Sequence, residues 1–195
     1  MSTLVPLLTG NERFKLNGNN SEFSVKDFWA WSTSDLLDNT TRGSVAEFLV
    51  AKALDVDFLY AKMDWEPYDL LYGETRIEVK CSSYWQSWDR GDKHPKASEI
   101  QFDISPAYAW ISEEKKYSDD YKRNSDIYVF CLFGDKNKPS YDVMNLDQWR
   151  FFVIRTDELN KLGEQKSIRL NPLINLYPTE CMFDGLKAAV EQNLS

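Results

Sequence analysis

At 195 residues with 43% hydrophobic content, the chain has enough apolar surface for one buried core and no run long enough to span a membrane. A single globular domain is the expectation. Its net charge of −8 excludes a broad electrostatic grip on nucleic acid, because phosphate contacts need Lys and Arg to displace counterions. An acidic chain still binds a phosphodiester locally where its carboxylates hold a cation that inverts the local charge.

The first ten residues carry no basic stretch and only a short apolar patch. Neither a signal peptide nor an anchor is expected, and the protein should remain in the cytoplasm. Asn and Gly crowd residues 1–22, which predicts irregular structure ahead of a short helix over 25–31. Residues 1–39 read as an N-terminal extension to an α/β domain over 40–195. From Thr40 onward, Val45, Ala46, Phe48, Leu49, Val50, Ala51, Ala53 and Leu54 predict a helix apolar around most of its surface, hence largely buried.

β-prone runs follow at 58–63, 68–72 and 76–82, the last two joined by Gly73-Glu74 as a hairpin turn. Ile100, Phe102 and Ile104 alternate with polar neighbours, as a half-buried strand does. Residues 127–133 are apolar almost without interruption, which marks a central strand covered on both faces. A strand over 149–154, a short helix begun by Thr156 and ended before Gly163, and an amphipathic helix over 183–194 complete the set. The order predicts a mixed α/β sheet flanked by helices. Cys81, Cys131 and Cys181 are odd in number and contain no CxxC pair, against both a disulfide framework and a zinc site.

On the 76–82 strand, side chains alternate, so Glu78 and Lys80 share one face. With Gly73-Glu74 as a two-residue loop, Tyr72 pairs with Thr75, Leu71 with Arg76, Leu70 with Ile77, and Asp69 falls opposite Glu78. A four-residue loop keeps that register, whereas three or five residues would put the acids on opposite faces. Two carboxylates so placed repel unless one is protonated or a cation lies between them. Glu47 is the only ionisable residue between Val45 and Ala51, so in a buried helix it must be paired or bound to a cation. Lys80 would aim its ammonium at a phosphate or water beside such a cation.

Glu47 on a helix, then Pro67-Tyr68-Asp69, then Glu78-Val79-Lys80 after a hairpin, resembles the PD-(D/E)XK nuclease superfamily of restriction endonuclease-like proteins. The resemblance covers roughly residues 40–83 by motif and departs from it in the Tyr68 that separates proline from aspartate. It implies a restriction endonuclease-like fold and a magnesium ion, replaceable by manganese. Asp69, Glu78, the Val79 carbonyl and Glu47 would ligate the metal, and Lys80 would assist the attacking water. It also implies a DNA substrate and a possible homodimer, although no dimer interface can be read from the residues.

Ser82, Gln86, Arg90, Lys93 and Lys96, interleaved with Tyr84, Trp85 and Trp88, offer a nucleic-acid contact directly after the acids. The same rings also fit packing beneath a sheet edge. Lys115, Lys116, Lys122 and Arg123 are diluted by Asp119 and Asp120 and read as an exposed helix or loop. Ser44-x-x-Glu47 also fits a helix capping box, and Asp69, Glu78 and Lys80 also fit a solvated strand face with an ordinary salt bridge. His94, alone of its kind and beside a proline, has no nucleophile partner in the sequence. The expected function is a magnesium-dependent endonuclease. The alternative is a catalytically silent nuclease-fold module for binding or assembly in a defence or repair system.

Overall fold

The computed structural model describes residues 5–58, 66–111 and 114–194. In chain order a hairpin of β1 (Arg13–Leu16) and β2 (Asn19–Ser24) leads into α1 (Val25–Thr33). Ordered strands thus stand where irregular structure was expected. Asn17 and Gly18 both take positive φ, at 51° and 80°, and an Asn-Gly pair in that conformation turns a two-residue hairpin. The helix expected over 25–31 is present, although α1 buries none of its residues.

Next comes α2 (Asn39–Ala53), whose N-cap is Asp38, its carboxylate accepting from the Thr40 and Thr41 N–H groups. The capping-box reading of Ser44 and Glu47 therefore fails: both lie inside the helix. Ala46, Leu49, Val50 and Ala51 are buried, but Phe48 is exposed, so the helix is covered on one side only. The strand expected over 58–63 lies, from residue 59 on, outside the described residues.

Then follow β3 (Leu70–Tyr72), β4 (Thr75–Ser83), β5 (Gln101–Asp103), β6 (Ala107–Ile111), β7 (Lys116–Lys122), β8 (Ile127–Phe133), β9 (Trp149–Arg155), α3 (Thr156–Asn160), β10 (Ser167–Arg169), α4 (Leu170–Ile174), β11 (Thr179–Cys181) and α5 (Leu186–Gln192). Five strands form the main sheet in the order β11-β9-β8-β4-β3. Only β4 and β8 run parallel, so the fold is the mixed α/β sheet flanked by helices that the sequence predicts.

Every residue of β8 is buried, and its alternation divides the core in two. Ile127, Val129, Cys131 and Phe133 face α2 and α5, packing with Ala46, Leu49, Val50, Leu186 and Val190. Tyr128, Phe130 and Leu132 face the other way, against Ile100, Phe102, Ile104, Leu159, Ile168 and Leu173. Burial of each such side chain stabilises the sheet by about 1.5–3 kcal/mol, which holds β4 firmly beside β8. On β4 the same alternation sends Ile77 and Val79 into the α2 core, and Glu78 and Lys80 to the opposite face. The β6–β7 hairpin pairs only with itself. No helix among the described residues is long and apolar enough to cross a membrane.

Candidate active site

The β3–β4 hairpin pairs Tyr72 with Thr75, Leu71 with Arg76 and Leu70 with Ile77, the register of a two-residue Gly73-Glu74 loop. Gly73, at φ 61°, supplies the left-handed backbone that such a turn needs. Asp69 lies one step past the ladder and departs from it. Its N–H donates to the Ile77 carbonyl at 3.0 Å, off the hairpin register, and its carboxylate accepts the Val79 N–H at 2.8 Å. The Asp69 side chain thereby occupies a position on the strand that a neighbouring main-chain carbonyl would otherwise fill.

Glu78 is held by two donors. Lys80 Nζ lies 2.6 Å from Glu78 Oε1, and the buried Ser125 hydroxyl donates to Glu78 Oε2 at 3.0 Å. The side chains of Lys80 and Glu78 are 29% and 20% exposed, so this is a half-buried pair and not a solvated strand face. Burial alone would depress the Lys80 pKa, but Glu78, followed by Asp69 and Asp103, outweighs it and raises the value above that of an ordinary lysine. The site therefore relieves the repulsion of its acids with an ammonium. Tyr128, beside Glu78 on the neighbouring strand, is held neutral, its pKa raised by burial and then by the Glu78 charge.

Two cavities meet at Asp69. One, of about 250 Å³, is lined by Asp69 and Glu78 together with Tyr128, Tyr108, Trp110, Tyr117 and Lys122. The other, of about 560 Å³, is mostly apolar and is lined by Asp69, Glu47, Phe48, Phe58 and Leu70. Glu66 and Tyr68 border both. Glu47 thus shares a cavity with Asp69 but not with Glu78, because α2 packs on the face of the sheet opposite Glu78. Among the described residues, no three Asp, Glu, His or Cys side chains are gathered into a metal cage.

The family model described as bacteriophage T4 endonuclease IV matches residues 22–172, more than half of the chain. The protein belongs to the bacteriophage T4 endonuclease IV family. No curated protein matches the chain. The endonuclease IV match spans every residue of both cavities, and the chemistry to be accounted for is cleavage of nucleic acid.

The aromatic and basic stretch after β4 is not at the cavity. Glu78 and Ser83 are five residues apart on one strand, roughly 16 Å, and the segment leaves from the Ser83 end. Gln86 is buried there. Its Nε2 donates to the Ser83 carbonyl and the Ser98 hydroxyl, and its Oε1 accepts from Arg42 at 3.2 Å. Both amide hydrogens are spent inside the protein, so Gln86 has no donor left for a phosphate. Trp85 is likewise buried, its indole N–H on the Asp135 carbonyl. Ser82 is half-buried; Arg90 is paired with Asp35 at 2.8 Å; Lys93, Lys96, His94 and Trp88 are exposed.

What lies beside the acids instead is the β6–β7 hairpin. Of the basic cluster expected as a loop or helix, Lys116 and Lys122 end strand β7 while Lys115 and Arg123 flank it, and its members part company: Lys122 lines the cavity. Arg123 is buried and bonded to the Ile104, Gly163 and Gln165 carbonyls. Reading from sequence also missed Ser125, Asp103 and Glu66. The alternation Tyr108-x-Trp110 and Tyr117-x-x-x-Tyr121 was the available signal for a ring-bearing strand pair.

Proposed function

We propose that the chain is a magnesium-dependent endonuclease of the PD-(D/E)XK type that hydrolyses phosphodiester bonds in DNA. The observation that carries this reading is that Asp69 and Glu78 line one cavity with the Lys80 ammonium on Glu78. The donor set is hard oxygen throughout: the cysteines lie in or against the core and His94 lies elsewhere. Magnesium favours such donors, and it is commonly held by one or two carboxylates and completed by water and substrate oxygens. Glu78 keeps a free lone pair on each oxygen beside its bonds to Lys80 and Ser125. The residues present therefore fit the ion.

Asp69, Glu78 and the Val79 carbonyl would hold the metal, with Glu47 approaching Asp69 from the neighbouring cavity. Bound there, the ion would supply Lewis acidity toward the phosphate and a lowered pKa for a ligated water. Lys80 stays protonated at neutral pH, so its role is electrostatic: it orients Glu78 and offers positive charge to the phosphate as negative charge grows in the transition state. Ser125 fixes the rotamer of Glu78, and the Val79 N–H fixes that of Asp69.

Plasmid cleavage in Mg²⁺ tests the reading. Wild-type protein should cut, EDTA should abolish cutting, and Asp69→Asn and Lys80→Ala should each lose at least a hundredfold. Full activity in either variant overturns the assignment. The silent-module reading draws on the Lys80–Glu78 ion pair, which already neutralises one acid without a metal; binding that persists in EDTA with no cleavage under any divalent ion decides for it.

A further inference from the structure

The β6–β7 hairpin carries two cross-strand ring pairs. Tyr108 and Tyr121 lie 5.0 Å apart between centroids, and Trp110 meets Tyr117 edge to face at 5.2 Å. Rings on a hairpin usually close over a core, yet here Tyr108 is 52% exposed and Tyr117 57%. Tyr108, Trp110 and Tyr117 line the cavity that contains Asp69 and Glu78, so the open faces adjoin the reacting centre. Lys122 follows on the same strand and lines the same cavity. Its ion pair with Asp120, at 3.0 Å with side chains 57% and 72% exposed, is solvated and readily exchanged for a phosphate.

We infer that this hairpin, and not the segment after β4, positions the substrate: nucleobases stack on Tyr117 and Tyr108, and Lys122, one residue past the Tyr108–Tyr121 pair on the side away from Tyr117, takes an adjoining phosphate. The inference rests on Asp69 and Glu78 being the reacting centre. It also accounts for the charge of the chain. A protein of net charge −8 gains little from counterion release, whereas stacking on aromatic faces needs no net positive charge. One phosphate contact predicts a shallow salt dependence, a slope of roughly −1 or less in log affinity against log salt.

The test is an anisotropy titration of a fluorescein-labelled, mixed-sequence DNA oligonucleotide in EDTA across a range of NaCl, paired with cleavage of the same oligonucleotide in Mg²⁺. Tyr117→Ala and Tyr108→Ala should each weaken binding about tenfold and raise KM with little change in kcat. Tyr117→Phe should bind as wild type, since the stacking face is kept. Glu78→Gln should bind normally and fail to cut. Wild-type affinity in both alanine variants, or a steep salt slope unaffected by them, overturns the proposal while leaving the metal site standing. Cleavage by Glu78→Gln overturns the metal site and leaves the stacking result to be read alone. Should Tyr117→Ala fail to fold, Tyr108→Ala carries the same comparison, because its ring lies half in solvent.

Discussion

The Asp69 carboxylate accepts the backbone N–H of Val79 at 2.8 Å, so the acid at the end of β3 is fastened to the strand that carries Glu78 and Lys80. This one bond separates charge from shape. Asp69→Asn keeps an acceptor at Oδ1 and should melt within a few degrees of wild type while losing cleavage. Asp69→Ala removes the acceptor as well and should cost about 1.5–3 kcal/mol, the range for a hydrogen bond to a charged group. Thermal melts and cleavage rates on the two variants check the separation; equal melting of both would mean that the bond does not hold the strand end.

Ser125 touches the proposed centre only through Glu78. Ser125→Ala should lower kcat about three- to tenfold with KM unchanged, because Glu78 keeps its Lys80 partner but loses the donor on Oε2. Ser125→Thr should restore most of the rate. A KM effect of equal size would place Ser125 against the substrate instead.

Arg42 is buried and bonds the Leu37 carbonyl, Asn39 and Gln86. Gln86→Ala leaves that guanidinium short of an acceptor and should destabilise the fold by roughly 1–3 kcal/mol, with oligonucleotide affinity unchanged in the folded protein. A loss of affinity without a loss of stability would return Gln86 to the nucleic-acid contact set.

Burial pushes the Cys81 thiol up to about 11, and burial, then the nearby Asp184 and Glu180 charges, push Cys181 to about 11. A thiol whose pKa is raised on folding favours the native state fully below the unfolded value near 8.5–9, and that contribution fades as pH climbs from there through the folded value. Stability should therefore fall between about pH 9 and 11, and Cys81→Ser should flatten the fall. At pH 8 a thiol reagent should label the fully buried Cys131 only in denaturant; prompt native labelling of Cys131 contradicts its burial.

The period of alternation and the chemistry of turns are local, and they were legible in the residues: the Gly73-Glu74 register, Glu78 and Lys80 on one face, and 127–133 as the doubly buried strand all follow from pleat geometry over a few neighbours. The missed β1–β2 hairpin was equally local, announced by Asn17-Gly18. Which distant segments meet was decided by tertiary structure. The parallel pairing of β4 with β8 forces a crossover of more than forty residues, and its course carries Trp85 and Gln86 into the far end of the sheet while folding Tyr108, Trp110 and Tyr117 back beside Glu78. The same layering puts Glu47 on the other face, in a cavity with Asp69 and not with Glu78, because α2 must bury Leu49 and Val50 against that side of the sheet.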